Sequence, residues 1–431
     1  MKIQWNEVDP RWAWEPYRPT AEAPWDTRRA AHLLRRAGFG AHWEEVQEAV
    51  RLGPEQTLAS LFEQEETEAE QRDADDLARA VLAGNDPRQL TAWWLRRIRY
   101  TSAPLRERMT LFWHGHFCTS AAKVPHSQLM LTQYELFREN ALGSFPKMVQ
   151  QIARDPAMLL YLDSATNRKQ HPNENFAREL LELFTLGIGN YTEADIQELA
   201  CCFTGWEVHR GRFVFDRYQH DTAPRTLFGK SGTYSGEEAI SCVLAQPAVG
   251  EFLTRKLVRF FITEQHPLTA ELLAPLAEQL RQDELQIEPT VRRLLASNLF
   301  HSSWSLEGRI RAPVELALVL LRETGATTNF HALAGRLETL GQSLFFPPNV
   351  KGWAGGTTWI NTASLLARQR LTVDLLGEAG NLPQLALDDL LAWQLPVAPP
   401  AEVVEQLAAA EPSDLRTLWR LLTRLPEYQL Y

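Results

Sequence analysis

Apolar residues recur at helical spacing along most of this chain, and this periodicity limits its fold more than any other feature. The segments 90–118, 126–154 and 267–338 place large apolar side chains three or four positions apart, as helices with one buried face do. Strict alternation of apolar and polar residues, which is typical of a β-strand, is convincing only in residues 206–218. Neither a βαβ pattern nor an internal repeat is present. The sequence therefore predicts a mainly α protein, a multi-helix globular body with one short β-hairpin and long ordered loops.

Composition divides the chain into three parts. Residues 1–25 are rich in tryptophan and proline and predict an irregular N-terminal arm that wraps the body of the protein. Residues 26–375 predict the main helical domain, and residues 376–431 predict a C-terminal helical extension whose Leu-rich helices are separated by prolines. Within the main domain, residues 341–361 form a long loop of glycine, proline and aromatic residues. Ordered loops of this length are commonly functional.

Charge and cysteine content exclude several classes of protein. The formal net charge is -10, whereas a nucleic-acid binder needs a basic surface to neutralise phosphates. No apolar stretch of about 18 residues is present, so the sequence predicts no membrane span. The N-terminus lacks the pattern of a signal peptide, which predicts a cytoplasmic protein. The four cysteines form no C-x-x-C pair, which argues against a cysteine zinc site and a disulfide framework.

Residues 173–186 carry the strongest candidate for a site. On a regular helix they divide into an apolar arc and a polar face. The polar face carries one guanidinium, three carboxylates and two amides at its entry: Asn173, Glu174, Asn175, Arg178, Glu179 and Glu182. Such carboxylates serve as metal ligands or as a general acid and base. However, Arg178 lies four residues from both Glu174 and Glu182, which is also the spacing of an ion-paired surface helix.

Two histidine motifs are candidates for metal binding. His114 and His116 flank a glycine, and on an irregular turn both rings face one metal, whereas on a helix they diverge by about 200°. His220 precedes Asp221 in a loop, where the pair supplies a metal ligand or an acid and the group that orients it. The alternatives are a histidine pair at a helix end and an Asx or helix-capping turn.

The aromatic loop 341–361 also has two interpretations. Exposed, the rings of Trp353 and Trp359 would stack on a sugar or contact a partner protein. Buried, they would only fix the course of the loop.

Six motifs in this order resemble one family. They are AHLLRRAGFG (31–40), FWHGHF (112–117), NENFARELLELFTLG (173–187), YTEADIQELACCFTGW (191–206), HD (220–221) and GQSLFFPPNVKGW (341–353). Over residues 25–375 the chain resembles the bacterial domain-of-unknown-function family 1800, whose members look largely helical. Many relatives look exported and share operons with a sulfatase-like family, so the resemblance implies a sulfatase-like partner. The family's polar positions match the candidates above, but many relatives have histidine where Phe184 stands.

Two functions follow from these candidates. The first is a hydrolytic or acid/base enzyme in which His114, His116 and His220 bind a divalent metal or shuttle protons. Its catalytic groups would come from the carboxylates and the guanidinium: Glu174, Arg178, Glu179, Glu182 and Asp221. Its binding groups would be Asn173, Asn175, Trp353 and Trp359. The second is a non-catalytic helical scaffold that uses loop 341–361 to bind a partner protein or a glycan.

Overall fold

The fold is built almost entirely of helices. The computed structural model describes residues 4–380, 382–409 and 415–431, and these contain twenty-three α-helices. Those before the strands are α1 (Pro10–Trp14), α2 (Thr27–Gly38), α3 (Trp43–Leu52), α4 (Pro54–Glu63), α5 (Glu68–Gly84), α6 (Pro87–Tyr100), α7 (Pro104–His116), α8 (Ser127–Glu139), α9 (Phe145–Ile152), α10 (Pro156–Tyr161), α11 (Asn175–Glu179) and α12 (Glu193–Cys202). Those after the strands are α13 (Gly236–Leu244), α14 (Ala248–Phe261), α15 (Ala270–Gln282), α16 (Ile287–Ala296), α17 (Ser303–Leu306), α18 (Pro313–Thr324), α19 (Phe330–Thr339), α20 (Thr362–Gly377), α21 (Leu387–Gln394), α22 (Ala401–Ala409) and α23 (Leu415–Leu422).

Two antiparallel hairpins interrupt the helices. Strands β1 (Trp206–His209) and β2 (Arg212–Phe215) pair within the segment whose alternation predicted a hairpin. Strands β3 (Arg225–Leu227) and β4 (Lys230–Gly232) form a second hairpin of three-residue strands, too short to show alternation in the sequence. The predicted mainly α class with a short hairpin is confirmed.

Prolines and capping residues set many helix boundaries. The helical pattern of residues 90–118 is divided into α6 and α7, because Pro104 fits the first turn of a helix but not its interior. Asp26 accepts a hydrogen bond from Arg29 N at the start of α2, and Thr192 accepts one from Asp195 N at the start of α12. No helix among the described residues is both long and apolar enough to cross a bilayer.

Both ends of the chain pack onto the body. Trp14 is buried and its indole donates to Leu272 O at 2.6 Å, while Trp5 donates to Pro267 O at 2.7 Å. At the other end, Tyr431 is buried and its hydroxyl donates to Arg35 O of α2 at 2.8 Å. The elements that surround the candidate site therefore belong to a core that involves distant parts of the sequence.

A buried network of charged side chains joins three parts of this core. Glu315 at the start of α18 lies 2.6 Å from Arg108 of α7 and 3.2 Å from Arg309. Arg309 also lies 3.3 Å from Glu264, whose other oxygen accepts a hydrogen bond from Gly356 N in loop 341–361. Buried charges of this kind persist only when they are paired. The network fixes α7, α18 and the loop relative to each other.

Candidate functional site

The polar segment that follows Asn173 is not a regular α-helix throughout. It begins as α11 and changes after Glu179 into a π-helical turn, Leu180–Thr185. The amide of Leu186 donates to Leu181 O, five residues back, at 3.0 Å. The prediction of one continuous α-helix is therefore wrong for the second half of the segment. Single π-helical turns are rare and occur frequently at functional sites.

Side chains from two other parts of the chain bond to the end of the π turn. His116 Nε2 lies 3.0 Å from Phe184 O, and Lys256 Nζ of α14 donates to Leu183 O at 2.8 Å. Within the turn, the hydroxyl of Thr185 donates to Leu180 O. Carbonyls at the end of a helix have no partner within the helix and need donors from elsewhere. The π turn therefore depends on tertiary contacts.

Two half-buried carboxylates lie where the helix type changes, Glu179 at the end of α11 and Glu182 on the π turn. Glu182 is 21% exposed, and its oxygens lie 3.4 Å from the hydroxyl of Tyr191 and 3.9 Å from Nζ of Lys351. Glu179 is also half-buried, but it forms no hydrogen bond or ion pair in the described part of the chain. Burial raises the pKa of Glu179, and the nearby Glu182 raises it further. The two carboxyl groups thus have unequal environments.

Arg178 and Glu174 belong to a separate surface cluster. The Arg178 guanidinium contacts Glu193 at 2.8 and 2.9 Å, in a bidentate pair, and Glu174 at 3.0 Å. The side chain of Arg178 is 35% exposed and that of Glu193 is 70% exposed. The ion-paired surface interpretation describes these residues well, and exposed pairs of this kind contribute little stability.

Asn173 and Asn175 form the entry to α11. The side chain of Asn173 accepts a hydrogen bond from Asn175 N at 3.0 Å and donates to Asp163 O at 3.0 Å. This is an Asx-type turn, in which a short polar side chain replaces a backbone partner at the start of a helix. The two residues therefore have local backbone roles.

The two histidines of the HGH motif lie within α7 and have different partners. His114 Nε2 accepts a hydrogen bond from Phe345 N at 3.0 Å, whereas His116 Nε2 is bonded to Phe184 O. Both side chains are buried, and burial lowers the pKa of His114 to about 3 and that of His116 well below its usual value. The glycine between them does not bend the helix. The structure does not bring both rings to one metal.

His220 and Asp221 contact yet another set of residues. His220 Nδ1 lies 2.9 Å from Thr204 O, and Asp221 accepts a hydrogen bond from Ala223 N at 2.8 Å. Asp221 is also ion-paired with Arg225. No group of three or more His, Cys, Asp or Glu residues in the described ranges is placed to hold a metal ion. The histidines of the predicted metal set, His114, His116 and His220, bond instead to three different parts of the backbone: Phe345 N, Phe184 O and Thr204 O.

Loop 341–361 is tied to the body and reaches the carboxylates. Trp359 is buried against Ile310 and Ala312, and the ring of Trp353 lies 5.8 Å from that of His114. The same loop carries Lys351 to Glu182. The loop and the polar segment, which are about 170 residues apart in sequence, thus meet at one surface.

Lys256 and the members of the buried ionic network were not among the residues predicted for the site. Lys256 shares a helix face with Val249 and Leu253, both of which are buried. Glu315 similarly occurs in the almost wholly apolar helix α18. Both Lys256 and Glu315 are charged residues on otherwise apolar helix faces, and this pattern in the sequence could have identified them.

Comparison with known proteins identifies one family. The model of this family matches residues 32–430, and the family is described as "Protein of unknown function (DUF1800)". The match extends beyond the motifs that end at residue 353. No curated protein and no solved structure shows detectable similarity to the chain.

Proposed function

The chain belongs to the DUF1800 family, and because that description specifies no activity, we propose a function from the site: a hydrolytic acid/base enzyme with Glu179 and Glu182 as its reacting groups. The observation that carries the proposal is a pair of half-buried carboxylates with unequal surroundings, Glu179 at the end of α11 and Glu182 on the π turn that follows. Pairs of titratable groups whose environments separate their pKa values commonly divide the roles of acid and base.

The surroundings of the two groups assign the roles. The carboxylate of Glu182 lies 3.4 Å from the Tyr191 hydroxyl and 3.9 Å from Nζ of Lys351, and we assign it the role of base. Glu179 forms no hydrogen bond or ion pair among the described residues, and burial raises its pKa more than the charges of Lys351 and Arg178 lower it. In the proposed reaction Glu182 accepts a proton from water, the water oxygen attacks the substrate, and Glu179 donates a proton to the leaving group. Each group returns to its starting state by exchanging a proton with solvent.

Other candidates have smaller roles in this proposal. Arg178 and Glu174 support the surface of the segment through Glu193. A metal is not included, because His114, His116 and His220 do not converge. Binding of a glycan or partner through Trp359 has less support, since that ring is buried. The sulfatase-like partner stays a prediction from relatives.

A substrate screen with three variants tests the proposal. We expect the wild type to hydrolyse at least one member of a panel of nitrophenyl esters, phosphates and glycosides. Glu182→Gln and Glu179→Gln should each lower that rate by ~100-fold or more while the protein stays folded. Glu193→Gln, which alters an exposed pair beside the site, is the matched control and should retain activity. Equal rates in all four proteins would refute the assignment.

A titration tests the pair without a substrate. Because Glu182 raises the pKa of Glu179, Glu182→Gln should lower that pKa. Carbon-13 NMR of the side-chain carboxyl groups measures this directly. An unchanged Glu179 titration would show that the two groups do not interact.

A further inference from the structure

Lys256 is an amine placed where an apolar side chain would be expected. It lies on the face of α14 that carries Val249 and Leu253, and its ammonium lies 4.9 Å from the centre of the Phe252 ring. It has no ion-pair partner among the described residues, and its hydrogen bond goes to Leu183 O at 2.8 Å. Burial lowers its pKa to about 8.

The charged and titratable neighbours of Lys256 provide no counter-ion. They are His116 at the end of α7, Cys118 two residues later, and Arg259 of α14 itself. Burial keeps the imidazole of His116 neutral by lowering its pKa, and it raises the pKa of the Cys118 thiol to about 12. The ammonium is therefore held by the carbonyl of Leu183 and by the ring of Phe252.

The end of the π turn is suited to such a donor. The carbonyls of Leu183 and Phe184 lie near the C-terminal end of the turn, where the helix dipole places partial negative charge. Lys256 and His116 supply one donor to each. A carbonyl without a donor destabilises the register that leaves it unpaired, so these two bonds favour the π register.

We infer that Lys256 is a positioning residue for the carboxylate pair, because its bond to Leu183 O keeps residues 180–185 in the π register that sets the direction of Glu182 relative to Glu179. This inference rests on the proposed function for its catalytic meaning. On a regular α-helix the two side chains would lie about 60° apart around the axis. A π turn contains more residues per turn, so each residue rotates less about the axis. The side chains of Glu179 and Glu182 therefore lie further apart around it.

The test compares Lys256→Met and Lys256→Gln with the wild type. Lys147→Met is the control, since Lys147 is an exposed lysine paired with Glu139 at 3.4 Å. Hydrogen exchange of the Leu186 amide reports the π register, because that amide donates to Leu181 O. Carbon-13 NMR reports the pKa of Glu179. Melting curves and circular dichroism establish that each variant is folded.

We expect Lys256→Met to raise the hydrogen-exchange rate of the Leu186 amide by ~tenfold or more. Exchange rates in helices far from the turn should change little. The pKa of Glu179 should rise, because a return to the α register would bring Glu182 closer to it around the helix axis. Lys256→Gln should show a smaller change, and Lys147→Met none. The inference would be overturned if Lys256→Met is folded, its Leu186 amide exchanges at the wild-type rate and its Glu179 pKa is unchanged. Failure of both Lys256 variants to fold would overturn it as well, because the lysine would then support the whole core.

The two proposals can fail separately. A change in the Glu179 pKa and in exchange without any hydrolytic activity would retain the positioning role of Lys256 and refute the enzyme. Hydrolysis that depends on Glu182 but is unaffected by Lys256→Met would retain the enzyme and refute the positioning role.

Discussion

Replacement of Glu315 by glutamine should destabilise the protein more than any change at an exposed ion pair. Glu315 is buried and contacts Arg108 and Arg309 at 2.6 and 3.2 Å. Burial alone would raise its pKa, but the two guanidiniums outweigh this effect and lower the pKa to about 2. Relative to the ordinary value of 4.5, this corresponds to about 3 kcal/mol of stability at neutral pH. Breaking a buried ion pair typically costs a similar amount, about 3–5 kcal/mol.

Ala312 N donates a hydrogen bond to the Glu315 carboxylate at 2.8 Å. Glutamine has a similar volume and keeps one oxygen that can accept this bond. The free energy of unfolding in urea at pH 7 should therefore fall by about 3 kcal/mol, chiefly from the lost charge. Glu288→Gln, at an exposed pair with Arg292, is the control and should cost less than about 1 kcal/mol.

The pH dependence of the same measurement provides a second check. A depressed carboxyl pKa contributes stability that is fully present above 4.5 and is lost as the pH falls toward 2. The difference between wild type and Glu315→Gln should therefore shrink below pH 4.5. Equal stability of the two proteins at pH 7, or a difference that grows on acidification, would refute the reasoning.

Two further predictions concern a histidine and two glycines. His114 has a pKa of about 3 in the folded chain against an ordinary value of 6.5, so below pH 6.5 only the unfolded chain binds a proton there, and the free energy of unfolding falls with the pH. Between about pH 7.5 and pH 5, the free energy of unfolding of His114→Gln in urea should therefore fall by ~2 kcal/mol less than that of the wild type. Identical pH profiles for the two proteins would contradict this. Gly236→Ala places a methyl group 2.1 Å from the buried ring of Trp206 and should lower the melting temperature strongly. Gly335→Ala, inside α19 with no atom within 4 Å, should instead stabilise by about 0.5–1 kcal/mol, and a similar loss at both positions would contradict the steric argument.

The candidate site was only partly predictable, and the reason differs between its parts. The entry to α11 follows from Asn173, whose side chain acts on a backbone amide two residues away. The ion pair between Glu174 and Arg178 also follows from a spacing of four residues. By contrast, the contact between Lys351 and Glu182 depends on how a distant loop packs against the segment. Local spacing contains no information about such a contact.

The HGH motif shows the same limit. The residues identify two imidazoles on one short segment, but they do not tell whether the glycine between them bends the chain. The structure continues α7 through the motif, and the two rings bond to Phe345 N and Phe184 O in different directions. Packing on both sides of the helix therefore outweighs the conformational freedom of Gly115.

By itself the sequence determined the mainly α class, the hairpin of residues 206–215 and many of the capped helix ends, because periodicity, capping and turn preferences act over a few residues. The tertiary structure alone decided the π register after Glu179, the separation of the three candidate histidines and the approach of Lys351 to Glu182. These features depend on donors and charges from segments far apart in the chain. Lys256 and His116 bond to the carbonyls of the π turn only because α14 and α7 pack beside it.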